Sequence, residues 1–211
     1  MERIENDLLF HQTHVVYVHG SPKTVPTRNG NGILLNGLNQ YLDIGKDVAC
    51  KGNLENCPKG FTLRFSIRPI QLLDNTYFVS SAPVDVFYQN GRLIAKARTP
   101  VREWSVSTPS LELKAWTQVD VSWDPVEGLI LYINKRLVDQ DPDPVTNEVD
   151  YNATKRFLIG RANTNMRQEN YANAMFDDVE FWEANRSRLI KQGHIDTCKQ
   201  HHTIAPSLLV C

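Results

Sequence analysis

Residues 116–141, with the sequence WTQVDVSWDPVEGLILYINKRLVDQD, decide the fold class of this chain. From 117 to 123, residues suited to a core alternate with polar ones, which is the period-two pattern of a half-buried β-strand. The Asp-Pro-Val-Glu-Gly segment at 124–128 predicts a chain reversal, because proline fixes one φ angle and glycine permits a positive one. The alternation resumes from 129 to 133. Antiparallel strands with one apolar face need a second layer, so the stretch predicts an all-β sandwich of two sheets.

The same alternation predicts the flanking strands. Residues 61–68 read FTLRFSIR, with Phe, Leu, Phe and Ile on one side and polar or charged residues on the other. Asn-Gly pairs at 36–37 and 90–91 are typical of hairpin turns. Little helix is expected, with one or two turns at 187–192. We therefore predict a single antiparallel two-sheet domain over 1–211, with a core at about 14–192 and a tail at 193–211.

Length, charge and hydropathy limit the function classes. The chain has 211 residues, 41% of them hydrophobic, which suits one domain with one sizeable core. A net charge of −1 argues against a nucleic-acid partner. The sequence contains no run of about 18 apolar residues, so we expect no direct membrane insertion. The charged first residues predict no signal peptide, so a secreted protein would be present here as a mature or excised piece.

Cysteines and glycosylation motifs favour an extracellular setting. Four cysteines permit three pairings, of which the simplest is local: Cys50 with Cys57, and Cys198 with Cys211. None has the CxxC spacing of a zinc site. Two Asn-x-Ser/Thr motifs predict N-glycosylation at Asn152 and Asn185. Paired cysteines together with such motifs are typical of secreted proteins and cell-surface ectodomains.

Five segments, in this order, resemble laminin-G-like (concanavalin A-like) jelly-roll domains, in particular a metazoan extracellular subset. They are GILLNGLNQYLDIG at 32–45, CPKGFTLRFSI at 57–67, WTQVDVSWD with LILYIN at 116–134, FLIG at 157–160 and FDDVEFW at 176–182. The resemblance implies two curved antiparallel sheets and binding of an extracellular protein or a glycan. It does not name one ligand, because the superfold also hosts lectins and hydrolases.

Within that family the residues favour a non-catalytic recognition module for adhesion or receptor–ligand binding. A glycan-binding lectin, with or without calcium, is the alternative, and a glycoside hydrolase comes third. Hydrolases of this kind need paired carboxylates about 5–10 Å apart. The runs 148–150 and 178–180 each begin such a pattern, but neither continues to a further carboxylate.

Asp177 is the candidate metal ligand. Strand alternation places it on the core side with Met175, Val179 and Phe181, where a carboxylate needs hydrogen-bond donors or a cation. Backbone donors are the preferred partners; a structural Ca²⁺, which takes 6–8 oxygen ligands, is the alternative. The acidic run at 139, 141 and 143 is a second calcium candidate, with a solvated loop preferred.

Arginines on predicted strands are the candidate ligand-binding residues. If neighbouring strands align them, they form a basic strip suited to sulfated glycans or an acidic partner. Solvated strand faces give the same pattern and are the preferred interpretation. The candidates are Arg64, Arg68, Arg98 and Arg102.

Overall fold

The computed structural model describes residues 16–27, 30–46, 50, 52–146, 156–163, 170–191 and 208–210. Over these residues the chain forms two eight-stranded sheets and one short helix, α1 (Ser187–Lys191). In chain order the strands are β1 (Tyr17–His19), β2 (Lys23–Thr27), β3 (Gly30–Asn36), β4 (Tyr41–Lys46), β5 (Phe61–Gln71), β6 (Thr76–Ser80), β7 (Val84–Gln89), β8 (Arg92–Arg98), β9 (Arg102–Pro109), β10 (Thr117–Asp124), β11 (Gly128–Ile133), β12 (Arg136–Asp141), β13 (Val145–Thr146), β14 (Arg156–Ile159), β15 (Asn173–Trp182) and β16 (Leu208–Val210).

The strand order confirms the predicted two-layer architecture. The first sheet runs β1-β4-β14-β6-β7-β8-β9-β13, and the second runs β12-β11-β10-β5-β15-β3-β2, with β16 added beside β15. All pairings are antiparallel except β15 with β16. The predicted short helix is also present, as α1.

The central meander folds as the sequence predicts. β10 pairs with β11, so Trp123 faces Leu129 across the ladder. Gly128 has φ 73°, and a Cβ there would lie 2.0 Å from the Asp141 carbonyl oxygen, so the reversal needs glycine. At the second predicted hairpin, Asn90 and Gly91 have φ 51° and 76°. Two successive positive φ angles are typical of the type I′ turn.

The core lies between the two sheets and contains the predicted apolar face of β5. Phe61 stacks on Phe181 with ring centroids 5.5 Å apart and lies 6.2 Å from Trp123. Phe78 of the first sheet meets Phe176 of the second at 6.4 Å. Burying one such aromatic side chain contributes about 1.5–3 kcal/mol, so these contacts hold the sheets together.

The predicted orientation of Asp177 toward the core is wrong, because β15 contains a β-bulge. Asp177 pairs with Ser66 and Glu180 with Arg64, so three steps on β15 oppose two on β5. Asp178 is the extra residue of the bulge and has φ 48°. Ala174 and Phe176 therefore face the core before the bulge, and Val179 and Phe181 face it afterwards. Asp177 and Met175 lie on the other face, which simple alternation could not predict.

One predicted disulfide is confirmed. Cys50 and Cys57 are bonded, with Cα atoms 4.8 Å apart, and close a loop around the 3₁₀ turn Leu54–Asn56. Cys198 and Cys211 lie outside the described residues, so their pairing stays a prediction. Asn152 also lies outside them.

Candidate functional site

Four side chains at one edge of the first sheet form a stacked group, which we call the tyrosine cluster: His19, Tyr41, Arg161 and Tyr171. The rings of His19 and Tyr41 are parallel, with centroids 4.1 Å apart. The guanidinium carbon of Arg161 lies 5.2 Å from the Tyr41 ring centroid and 5.7 Å from that of Tyr171. All four side chains are partly exposed. The cluster is therefore a surface feature held by ring and cation–π contacts.

Strand pairing and one glycine bring the cluster together. His19 of β1 lies directly opposite Tyr41 of β4. Gly160, at the end of β14, has φ 86° and turns the chain into Arg161. Its N–H donates to the Phe78 carbonyl at 2.8 Å, and its carbonyl accepts from the Ala172 N–H at 2.9 Å. The second bond holds the Arg161 segment beside Tyr171.

The side-chain types of the cluster suit ligand recognition. A tyrosine combines an apolar ring with a hydroxyl group, and its two χ angles cost little entropy on binding. The Arg161 guanidinium is planar and carries directional N–H donors for ligand oxygens. Tyr17, 40% exposed, precedes His19 by two residues and extends the aromatic surface along β1. Such a surface can pack against a sugar ring or an apolar protein side chain.

Arg64, a predicted ligand-binding residue, is buried. It is 6% exposed; its Nε atom lies 2.5 Å from Asp120 Oδ1, and its Nη1 atom lies 3.5 Å from Glu180 Oε2. Its guanidinium also lies 5.2 Å from the Trp182 ring centroid. The prediction that Arg64 belongs to an exposed basic strip is wrong, because two carboxylates and an indole surround it.

The other candidate arginines do not align into one strip. Arg68 belongs to the second sheet, where its Nε donates to the Lys114 carbonyl at 2.8 Å. Arg98 and Arg102 belong to the first sheet, and only Arg102 is exposed. The single predicted strip is therefore divided between two sheets. A ligand contact by Arg68 or Arg102 stays a prediction.

Arg98 joins the carboxylates on its face of the first sheet. It forms an ion pair with Asp85, and its Nε lies 3.7 Å from Glu103 Oε2. Burial lowers the pKa of Arg98, but the two carboxylates raise it by more, so the net pKa lies above its ordinary value. Lys96 holds Glu103 as well, with Nζ 2.6 Å from Oε1. These acids are thus neutralised by cations, which favours structural support over acid–base chemistry.

The acidic run on β12 caps a strand edge. Asp139 Oδ2 accepts the Ser107 N–H, and Asp141 Oδ2 accepts the Ser105 N–H, each at 2.8 Å. Ser105 and Ser107 belong to β9 of the first sheet, so the two carboxylates link the sheets and cover part of an exposed edge. Neither the calcium interpretation nor the solvated-loop interpretation anticipated this role.

Asp177 itself is half-buried, and its Oδ1 accepts the Asp178 N–H at 2.9 Å. Desolvation raises the pKa of its carboxyl, while the Thr27 hydroxyl and the Asp178 N–H counteract the rise. Among the described residues, no group of three or more His, Cys, Asp or Glu side chains is arranged to hold a metal ion. A calcium ligand role for Asp177 remains a prediction.

Glu180 is a buried carboxylate beside Arg64. It is 5% exposed on the outer face of the second sheet, beside Asp120 at 0%. Burial raises its pKa from 4.5 to about 7, despite the opposing effect of Arg64. Burial also raises the pKa of Asp120. The Arg64 guanidinium therefore contacts two carboxyl groups whose pKa values are raised by burial.

A second surface feature, which we call the turn groove, lies where residues 58–59, just after the disulfide loop, meet the β10–β11 turn and residues 185–188. It has a volume of about 590 Å³. Asp124 Oδ1 accepts the N–H groups of Val126 at 2.7 Å and Glu127 at 2.6 Å, which confirms that Asp124 opens the turn. Asn185, one of the two predicted glycosylation sites, lines this groove.

Sequence reasoning missed the tyrosine cluster. Its members lie at positions 19, 41, 161 and 171, and no spacing rule connects them. Only the pairing of β1 with β4 could have brought His19 to Tyr41.

Comparison with known proteins identifies the fold. A family model described as the concanavalin A-like lectin/glucanases superfamily matches residues 35–189. No curated protein matches the sequence. Within the described residues, no helix is long and apolar enough to cross a membrane.

Three solved structures illustrate the structural likeness. A botulinum neurotoxin type C structure, described with the dependence of cell entry on two ganglioside molecules, has TM-score 0.57 and 14% identity over 86% of this chain and 46% of its own. The botulinum neurotoxin DC binding domain in complex with rat synaptotagmin II has TM-score 0.56 and 14% identity over the same shares. Domain 4 of AbnA, a GH43 extracellular arabinanase from Geobacillus stearothermophilus in complex with arabinotriose, has TM-score 0.55 and 12% identity over 82% of this chain and 81% of its own. The chain spans about half the length of these toxin structures, and at such identities the likeness shows the fold alone.

Proposed function

This chain belongs to the concanavalin A-like lectin/glucanases superfamily, and on that premise we propose that it is a non-catalytic extracellular recognition module that binds a glycan through the tyrosine cluster. The observation that carries the proposal is the stack of His19, Tyr41, Arg161 and Tyr171. It combines apolar ring surface, hydroxyl groups and a fixed guanidinium on a rigid sheet edge. A preformed site of this kind loses little conformational entropy when it binds.

The comparisons support a glycan as the ligand class. Two structural neighbours are described with a glycan-containing ligand, ganglioside for one and arabinotriose for the other. The ion-paired state of Asp85 and Glu103 supports a binding role over hydrolysis. The Cys50–Cys57 disulfide supports an oxidising, extracellular setting. In that setting the module would act in adhesion or in receptor–ligand recognition.

A glycan array tests the proposal. The wild-type chain should bind a restricted set of glycans. Tyr171→Ala or Arg161→Ala should lower the affinity for the glycan bound most tightly by about tenfold or more, the factor for 1.4 kcal/mol. Arg161→Lys keeps the charge but loses the planar stacking and should also weaken binding. Arg136→Ala, on exposed β12, is the matched control. Loss of binding in Arg102→Ala, with Arg161→Ala unaffected, would instead place the ligand contact at Arg102.

Repeating the same glycan array in the presence of EDTA tests whether binding depends on calcium. Binding that survives EDTA supports the metal-free tyrosine cluster, whereas binding lost in EDTA and restored by Ca²⁺ supports a calcium-dependent lectin. Asp177→Asn should abolish the calcium response if Asp177 is a ligand.

A protein ligand is the second candidate. One structural neighbour is described in complex with a protein, synaptotagmin II, and Tyr and Arg are enriched at the energetic centres of protein interfaces. An array without any bound glycan, together with a partner lost on Tyr171→Ala in a pull-down of surface proteins, would favour this candidate.

A further inference from the structure

The Asn185 glycosylation motif is folded against the turn groove. The Asn185 N–H donates to the Lys59 carbonyl at 2.8 Å, and the Asn185 Oδ1 atom accepts the Ser187 N–H at 2.8 Å. The backbone of the motif is thus fixed on both sides. Its side chain is half-buried in the wall of a groove of about 590 Å³, a size within the usual range for small-molecule sites.

The two N–H groups of the Asn185 amide are held unequally. The Nδ2 atom makes a close hydrogen bond to Asp124 Oδ2, and it lies 3.5 Å from Glu127 Oε2, which is a weak contact. An N-linked sugar replaces one amide hydrogen and leaves the other. The bond to Asp124 can therefore persist while the sugar takes the position on the Glu127 side, once the Glu127 carboxylate has moved aside.

We propose that Asn185 carries an N-linked glycan and that its first N-acetylglucosamine occupies the turn groove. This rests on the extracellular setting of the proposed function. The glycosidic bond forms between Nδ2 and C1 of the sugar while the bond from C1 to a lipid diphosphate donor breaks. The lipid diphosphate leaves, and Nδ2 loses one proton. The transfer precedes folding, because the folded chain holds the amide against Asp124.

The groove offers the sugar both apolar and polar contacts. Val126 is 87% exposed at the tip of the β10–β11 turn, where a sugar ring would cover it. Lys59 and Arg188 are exposed cations at the rim and can donate to sugar oxygens. Glu127 Oε2 accepts from the Ser187 hydroxyl at 3.2 Å and can accept from a sugar hydroxyl as well. A glycan here occupies the groove and leaves the tyrosine cluster as the recognition surface.

Glycopeptide mass spectrometry of the full chain secreted from animal cells tests occupancy. Asn185 should be occupied in the wild type and in Ser187→Thr, which keeps the motif, and vacant in Ser187→Ala. Occupancy of the second motif, at Asn152, shows whether the chain was exposed to the glycosylating enzymes. A vacant Asn185 beside an occupied Asn152 overturns the inference and leaves the proposed function intact. Vacancy at both overturns the inference and removes support for the extracellular setting.

The rate of glycan release tests whether the sugar is seated in the groove. A peptide N-glycosidase should release the Asn185 glycan about tenfold more slowly from the native protein than from the denatured protein. Val126→Asp should accelerate native release, whereas Val101→Asp, at another exposed valine, should not. Equal release rates for native and denatured wild type would show that the glycan extends into solvent, and would overturn its proposed position in the turn groove.

Discussion

Trp123 contacts residues of both sheets. Its ring lies 6.2 Å from Phe61 of β5 and makes an edge contact with Trp104 of β9 at 5.3 Å. It is 3% exposed. Trp123→Ala should therefore lower the free energy of unfolding by about 3–5 kcal/mol, the range for deleting a buried large aromatic. Urea unfolding measures this, and a loss under about 1 kcal/mol would contradict the core position.

Glu180 should make stability depend on pH. Its folded pKa is raised from 4.5 to about 7, so its favourable contribution is complete below about pH 4.5 and is lost as pH rises through 7. A shift of that size corresponds to about 3 kcal/mol. Glu180→Gln mimics the neutral form and should be more stable than wild type at pH 8 and similar at pH 4.5.

Urea midpoints from pH 4.5 to 8 measure the effect. Glu183→Gln is the control, because Glu183 is exposed next to the same strand. A wild type whose pH dependence matches that of Glu180→Gln would show that Glu180 is not the titrating group.

At the scale of elements, the β15 bulge makes Asp178 the sensitive position. Asp178 has φ 48°, which aspartate, asparagine and glycine adopt far more easily than β-branched residues. Asp178→Val should therefore cost about 1–2 kcal/mol, while Asp178→Asn should be nearly neutral. Thermal unfolding distinguishes them. Equal losses would mean that β15 runs without the bulge.

The Asp139 bridge to β9 should protect a backbone amide. Asp139→Ala removes the acceptor of the Ser107 N–H, and losing one partner of such a bond costs about 1–3 kcal/mol. Hydrogen exchange at Ser107 should accelerate, whereas Asp143→Ala, two residues beyond the end of β12, should leave it unchanged. Unchanged exchange in Asp139→Ala would show that another group protects this edge.

The elements explain why sequence reasoning succeeded in part. Alternation on β5 and β10 is uninterrupted, so Trp123 and its neighbours could be assigned to the core. The bulge at Asp178 shifts the alternation of core-facing and outward-facing residues along β15. No glycine or proline marks its position in the sequence, so the sequence assigns Asp177 to the wrong face. Arg64 was read as exposed because strand alternation shows only which face a residue takes. It does not show that Ile190 of α1 packs beside Ile130 and Tyr132 on that face.

For the whole molecule, stability and recognition should be separable. Tyr41 begins β4 and Lys46 ends it. Five residues of extended strand span about 16 Å, and the disulfide loop begins further along the sequence, at Cys50. Lys59, two residues beyond Cys57, holds Asn185 through its carbonyl, whereas the cluster depends on β1, β4 and the turn at Gly160.

The double variant Cys50→Ala/Cys57→Ala tests this separation. Opening so short a loop should lower the free energy of unfolding by about 2–3 kcal/mol in the chain-entropy model. Ligand affinity at the tyrosine cluster should stay within about twofold of wild type, because the ring and cation–π contacts described for the cluster join its own members. Urea unfolding and a binding titration on the same preparation measure the two quantities. A fall in affinity in the still-folded variant would show that the disulfide loop belongs to the recognition surface, and the glycan site would then have to include the turn groove.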